Sequence, residues 1–125
     1  MVIYHKELAA GRWFELTLIE QLANIGSEVH RAIKCFKQDD RENFKFVFEK
    51  ALELFDLTLE DTRWKGRRKE IARSREFFCS LFQKDSYIKH LPDDMEWLDN
   101  YFLQFGIYAS LQKEKKTKES LNKIP

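Results

Sequence analysis

The sequence predicts an all-α protein, an antiparallel up-down-up-down four-helix bundle. Apolar residues recur at alternating spacings of three and four over four long stretches, which is typical of helices that bury one face. The 125 residues include four Gly and two Pro, too few turn formers for a many-stranded fold. With 43% hydrophobic residues and eleven Phe, the chain is long and apolar enough to bury one core, so we predict a single domain.

The first predicted helix spans 14–37, and the bundle is expected to form around it. Its apolar seam consists of Leu18, Leu22, Ile25, Val29, Ala32 and Phe36. Ala23 and Gly26 carry almost no side chain, and the neutral residues Asn24 and Ser27 lie beside them. This second face is predicted to pack closely against the second helix or against another subunit.

Three further helices are predicted at 40–61, 67–83 and 93–112, completing a bundle over 1–112. Asp39 and Glu42 have the spacing of a capping box at the start of the second helix. Residues 113–125 have little apolar content and are predicted to form a basic, disordered tail.

The net charge of +1 conceals an uneven distribution. Residues 63–75 hold seven Lys and Arg against one Glu, and 113–125 hold five Lys against two Glu, so the rest of the chain is acidic. The predicted nucleic-acid-binding residues are Arg63, Trp64, Lys65, Arg67, Arg68, Lys69, Arg73 and Arg75. Phosphate contact with Trp64 available for stacking is one interpretation. Ion pairing with Glu49, Glu53 and Glu60 of the second helix is the other.

Catalytic motifs are missing from the sequence. A di-metal carboxylate bundle needs Glu three residues before His on facing helices, and no Glu stands there before His5, His30 or His90. Glu53 and Asp56 have the spacing of an acidic pair for Mg²⁺, but the preceding helix carries no second pair. We therefore predict a protein that is not an enzyme and that uses neither a cofactor nor a metal.

Two stretches, Leu22–Glu28 (LANIGSE) and 44–59 (FKFVFEKALELFDLTL), carry a resemblance to a known family. They resemble the bacterial four-helix-bundle family that includes the proteins of ribosomal RNA intervening sequences and the accessory variability determinant of diversity-generating retroelements. The matching family features are a small residue followed by Asn-Ile-Ala-Glu-Gly, and a helix of the form FL-x-x-AL-x-x-L-x-E-L. Ala23 stands where the family has Pro, so we expect the first helix to continue through this point.

The resemblance implies a non-enzymatic helical bundle that forms rings, commonly pentamers, with a basic surface or channel. It further implies binding to RNA or DNA and to a reverse transcriptase, as for the accessory determinant. In such a ring the segment 63–75 would line the basic surface. The predicted subunit interface consists of Asn24, Ser27, Trp97, Tyr101 and Tyr108.

Together these observations predict an oligomeric, non-catalytic nucleic-acid-binding accessory protein of a retroelement reverse transcriptase. The alternative is a protein–protein adaptor or antitoxin-like bundle without a nucleic-acid role. An exposed apolar groove formed by Trp97, Tyr101 and Tyr108 would favour that alternative, because such grooves take partner helices. No signal peptide or apolar stretch of ~20 residues is present, so a cytoplasmic protein without membrane contact is expected.

Overall fold

The computed structural model describes residues 5–83 and 92–122, and all regular elements in these two ranges are helical. The α-helices are α1 (Lys6–Ala9), α2 (Leu18–Lys37), α3 (Arg41–Glu60), α4 (Arg68–Ser80) and α5 (Asp94–Asn122). Short 3-10 helices span Arg12–Glu15 and Thr62–Arg67. The prediction of an all-α protein is confirmed.

Helix α2 begins at Leu18, four residues later than predicted, because Thr17 caps it. The Thr17 hydroxyl accepts from the Glu20 backbone N–H at 3.2 Å, and the Glu20 carboxylate accepts from the Thr17 N–H at 3.0 Å. The segment before this cap packs against the helices, and its Trp13 is completely buried. The Trp13 Nε1–H donates to the Thr58 hydroxyl at 3.0 Å, which anchors the N-terminal segment to α3.

Helices α2 and α3 run in opposite directions across a short turn. Near the turn, the rings of Phe36 and Phe44 have centroids 5.8 Å apart. The cap of α3 is Asp40, whose carboxylate accepts from the Asn43 N–H at 3.3 Å. The predicted cap, Asp39, instead forms the turn itself with a φ of 54°, in the left-handed region.

The core lies where α2, α3, α4 and α5 meet. Leu22, Ile25, Val29 and Ala32 of the predicted seam are buried, whereas Phe36 is 44% exposed at the last turn of α2. Its ring instead joins a cluster of aromatic side chains at that end of the molecule. The largest fully buried hydrophobic side chains are Trp13, Phe55, Phe78, Phe102, Ile25, Leu54 and Leu98.

The helix that packs against the small-residue face of α2 is α5, and not α3, the second predicted helix. A Cβ added at Gly26 would lie 2.8 Å from the Phe102 Cβ, so the two backbones approach closely here. Toward the end of α2, His30 Nδ1 lies 2.9 Å from an Asp99 carboxylate oxygen. The close packing expected at Gly26 is therefore present within one chain. The prediction that the second helix provides it was wrong, because α5 does.

Helix α5 continues to Asn122, through most of the segment predicted to be a disordered tail. Lys and Glu, both strong helix formers, dominate these residues, and Glu114 lies 4.0 Å from Lys118 one turn on. Residues 123–125 of the predicted tail lie outside the described residues. Helix α4 is shorter than the predicted 67–83, ending at Ser80. Among the helices described here, none has both the length and the apolar composition to cross a bilayer.

Replacing Gly26 by Ala should destabilise the fold, because the added methyl group has no room beside the Phe102 Cβ. Overpacking of this kind costs about 1–3 kcal/mol. The matched control is Gly106→Ala, since a Cβ at Gly106 of α5 meets nothing within 4 Å. That control should stabilise by up to ~1 kcal/mol through helix propensity. Urea unfolding of both variants measures the difference, and a G26A chain as stable as G106A would contradict the packing described.

Candidate nucleic-acid interface

A buried amide fixes the turn from which the basic segment begins. Gln21 of α2 is completely buried. Its side-chain nitrogen donates to the Trp13 carbonyl oxygen at 2.9 Å and to Asp61 Oδ2 at 3.0 Å. Its side-chain oxygen accepts from the Trp64 indole N–H at 2.9 Å. One side chain therefore joins the N-terminal segment, α2, the end of α3 and the 3-10 helix after it.

Asp61 and Arg63 complete this turn. The Arg63 guanidinium donates to Asp61 Oδ2 at 2.7 Å and to the Leu16 carbonyl oxygen at 2.7 Å. The Arg63 hydrogen bond holds the pKa of Asp61 down at about 2, with a further contribution from Gln21. Arg63 also lies over the Trp64 ring, 4.5 Å from its centroid.

Arg63 and Trp64 therefore hold the fold together through contacts within the chain. The Trp64 indole is half-buried and its N–H is occupied by Gln21. Two further predicted residues have carboxylate partners: Arg75 donates to Asp56 of α3 at 3.0 Å, and Arg67 lies 4.0 Å from Glu70. Arg75 therefore does pair with a carboxylate of α3, as the alternative interpretation predicted. Its partner is Asp56, which was not among the three carboxylates expected.

The other four predicted cations are exposed: Lys65, Arg68, Lys69 and Arg73. Within residues 5–83 and 92–122, none of them has a carboxylate within the 4.0 Å of an ion pair. Lys69 and Arg73 are one turn apart on α4, with Phe77 one turn further, so these three side chains form one ridge. We call Arg67, Lys69 and Arg73 the groove-side cations, because all three line grooves beside α5.

The first of these grooves, between α4 and α5, has a volume of about 520 Å³. The ridge of Lys69, Arg73 and Phe77 forms its α4 wall, and Trp97 and Tyr101 stand on its α5 wall. Phe77 meets Trp97 edge to face, with centroids 5.6 Å apart. Cations and aromatic rings thus line one concave surface.

Tyr101 joins the two walls of this groove. Its hydroxyl donates to Glu70 Oε1 at 2.9 Å. Burial raises the pKa of Tyr101, and the hydrogen bond to Glu70 raises it further, so the phenol remains protonated and donates at neutral pH. The sequence assigned Tyr101 to a subunit interface, and its bond to α4 was not expected.

A second groove of about 640 Å³ adjoins the first, because Gly66 borders both. It lies between the 3-10 helix 62–67 and α5, and Arg67 and Tyr108 line it. Trp97, Tyr101 and Tyr108 are therefore divided between two neighbouring grooves. The three residues therefore do not form one common groove, and charged side chains stand among the apolar ones in both grooves.

The remaining predicted interface residues lie on α2. Asn24 and Ser27 are exposed, and their side chains donate to carbonyl oxygens one turn earlier, those of Glu20 and Ala23. Ser27 borders a cleft that Leu103 and Gly106 of α5 also line, away from the two grooves. The five predicted interface residues are thus on separate surfaces, and their role between subunits stays a prediction.

The carboxylates weighed for Mg²⁺ are engaged within the chain. Glu53 accepts from the His5 backbone N–H at 3.0 Å, and Asp56 accepts from Arg75. In the part of the chain that the structure describes, no group of three or more His, Cys, Asp or Glu side chains is arranged to hold a metal ion.

Comparisons of the chain with protein-family models, with curated proteins and with solved structures gave no match. The resemblance of 22–28 and 44–59 therefore depends on those residues themselves. Helix α2 does continue through Ala23, as the missing Pro led us to expect.

Replacing Asp61 by Asn should cost about 1–3 kcal/mol of folding free energy, because it removes a charged partner from a buried turn. The matched control is Asp56→Asn, since Asp56 and Arg75 form an exposed pair worth at most ~1 kcal/mol.

The effect of replacing Asp61 should also depend on pH. The folded pKa of Asp61, about 2, lies below its ordinary value of 3.8, so its contribution is present above pH 4 and is lost as the pH falls toward 2. The stability gap between wild type and D61N should therefore narrow over this range. Urea unfolding at several pH values measures it, and a gap that stays constant would contradict the role given to Asp61.

Proposed function

We propose that this protein is a non-catalytic nucleic-acid-binding accessory protein. The observation that carries the proposal is a group of exposed cations: Lys65, Arg67, Arg68, Lys69 and Arg73. In the described chain, Arg67 alone among them has a carboxylate within 4.0 Å, that of the exposed Glu70. A chain with a net charge of only +1 has enough carboxylates to pair them. Their clustering on one segment favours an external anion.

The position of these cations adds to the case. Arg68 and Lys69 lie in the first turn of α4, where the positive end of the helix dipole disfavours cations by a few tenths of a kcal/mol each. Helix stability alone would not favour this arrangement. A bound phosphate would offset both the mutual repulsion and the dipole, and Arg can bind it through two parallel hydrogen bonds.

The proposed architecture is an up-down-up-down four-helix bundle of α2 to α5. Contacts at the helix ends support it. Gln21 and Asp61 meet where α2 begins and α3 ends. Phe77, near the end of α4, meets Trp97 at the start of α5.

Self-association is the second part of the proposal. Leu103, Ile107 and Leu111 recur every four residues on α5, and each is more than half exposed, at 54–57%. Such a row commonly packs against another helix. The resemblance of 22–28 and 44–59 supports a ring of five subunits and a reverse transcriptase as protein partner. A solution mass above the 15.1 kDa of one chain is expected.

A protein–protein adaptor is the second candidate function, favoured by the exposure of Trp97 and Tyr108 at 58% and 54%. An amphipathic partner helix would bury these rings. The cations beside them favour the nucleic acid, and salt dependence separates the two functions. Binding to a helix through apolar contacts should change little with salt, whereas binding to phosphates should weaken steeply.

Replacing the groove-side cations together, as Arg67→Ala, Lys69→Ala and Arg73→Ala, should weaken oligonucleotide binding. Each lost phosphate contact should reduce the slope of log affinity against log salt by about 0.7–0.9, or roughly 2–3 for all three. Fluorescence anisotropy with a labelled oligonucleotide at several salt concentrations measures both quantities.

The matched control replaces three exposed cations at the opposite end of α2 and the start of α3, Lys34, Lys37 and Lys45, by Ala. It changes the net charge by the same amount and should leave most of the affinity. Equal losses in the two variants would mean that net charge, not a site, governs binding. Absence of binding by wild type even at low salt would refute the proposed function.

A further inference from the structure

The most exposed tryptophan of the described chain stands in the groove between α4 and α5. Trp97 is 58% exposed, whereas Trp13 is fully buried and Trp64 is half-buried with its N–H bonded. Its indole is nearly parallel to the Tyr101 ring, at an interplanar angle of 14° and a centroid distance of 5.7 Å. Phe77 supports it edge-on, so the indole is held in place while much of its surface faces solvent.

The surroundings of this indole are charged in a way that suits a nucleotide. Lys69 and Arg73 line the opposite wall, where a phosphate can lie. Glu70 is also in the groove, with one carboxylate oxygen accepting from Tyr101. Its other oxygen lies 4.0 Å from the Arg67 guanidinium. Because a carboxylate repels a phosphate, the phosphate of a nucleotide is expected on the Lys69 and Arg73 side of the groove.

We propose that this groove is a base-stacking subsite, so that the nucleic acid bound is single-stranded. This inference rests on the proposed function and specifies its substrate class. In a duplex both faces of each base are covered by neighbouring bases, so an exposed indole has little to stack on. In a single strand a base can rest on Trp97 while its phosphates contact Lys69 and Arg73. An unstructured oligonucleotide therefore binds more tightly than a duplex of the same length.

Titration with oligothymidylate and with a duplex of equal length tests this inference. Trp97→Ala should weaken binding of the single strand on the order of 10- to 100-fold, the effect of losing one stacked base. The duplex affinity should not change. Trp97→Phe keeps a ring in the groove and should retain much of the single-strand affinity. Circular dichroism verifies that each variant is folded.

The matched control is Phe46→Ala, which removes an aromatic ring of similar exposure, 53%, from α3. It should leave the single-strand affinity unchanged. Tryptophan fluorescence supplies a second readout: oligothymidylate should quench the emission of wild type, and W97F should lose this quenching.

Three results would overturn the inference. They are equal affinities of wild type for single strand and duplex, an unchanged single-strand affinity of W97A, and quenching that persists in W97F. After any of these results the proposed function would still hold, provided that replacing the groove-side cations weakens oligonucleotide binding. Absence of binding to both nucleic acids at low salt would instead remove the proposed function and this inference together.

Discussion

The buried amide of Gln21 is the interaction on which the arrangement of the basic segment depends. It is hydrogen-bonded to Trp13, Asp61 and Trp64, which belong to three different segments around α2. A buried amide without these partners would cost about 1–3 kcal/mol, so each of the three hydrogen bonds helps to hold this turn in place. Because Trp64 is fixed in this way, the chain leaves α3 along a defined path and α4 starts at a defined place.

The positive charges of residues 63–75 fall into two groups, those bonded within the fold and those exposed to solvent. Arg63 serves the turn through Asp61, and Arg75 contacts α3 through Asp56. Lys69 and Arg73 point instead into a groove that α5 completes with aromatic side chains. The charges used for folding therefore stand at the two ends of this segment and the exposed charges stand between them, which net charge alone would not indicate.

Helical periodicity was enough to predict the long helices, and it placed Leu22, Ile25 and Val29 in the core correctly. It could not predict that Gln21 is buried, since a polar residue beside an apolar seam is ordinarily at the surface. Nor could it identify the helix that covers Gly26, because spacing within one helix says nothing about its neighbour. The basic residues of the site were visible in the sequence. Their proximity to Trp97 was not, because it depends on the position of α5, which packs mainly on α2 and meets α4 through side chains such as Phe77 and Trp97.

The proposed function requires that the exposed cations bind nucleic acid and that the chain self-associates. Light scattering of the full chain, with and without a short single-stranded oligonucleotide at low salt, tests it most directly. We expect a mass that exceeds the 15.1 kDa of one chain, increases when the oligonucleotide is added and returns to its starting value in high salt. A single-chain mass that the oligonucleotide does not change would contradict it.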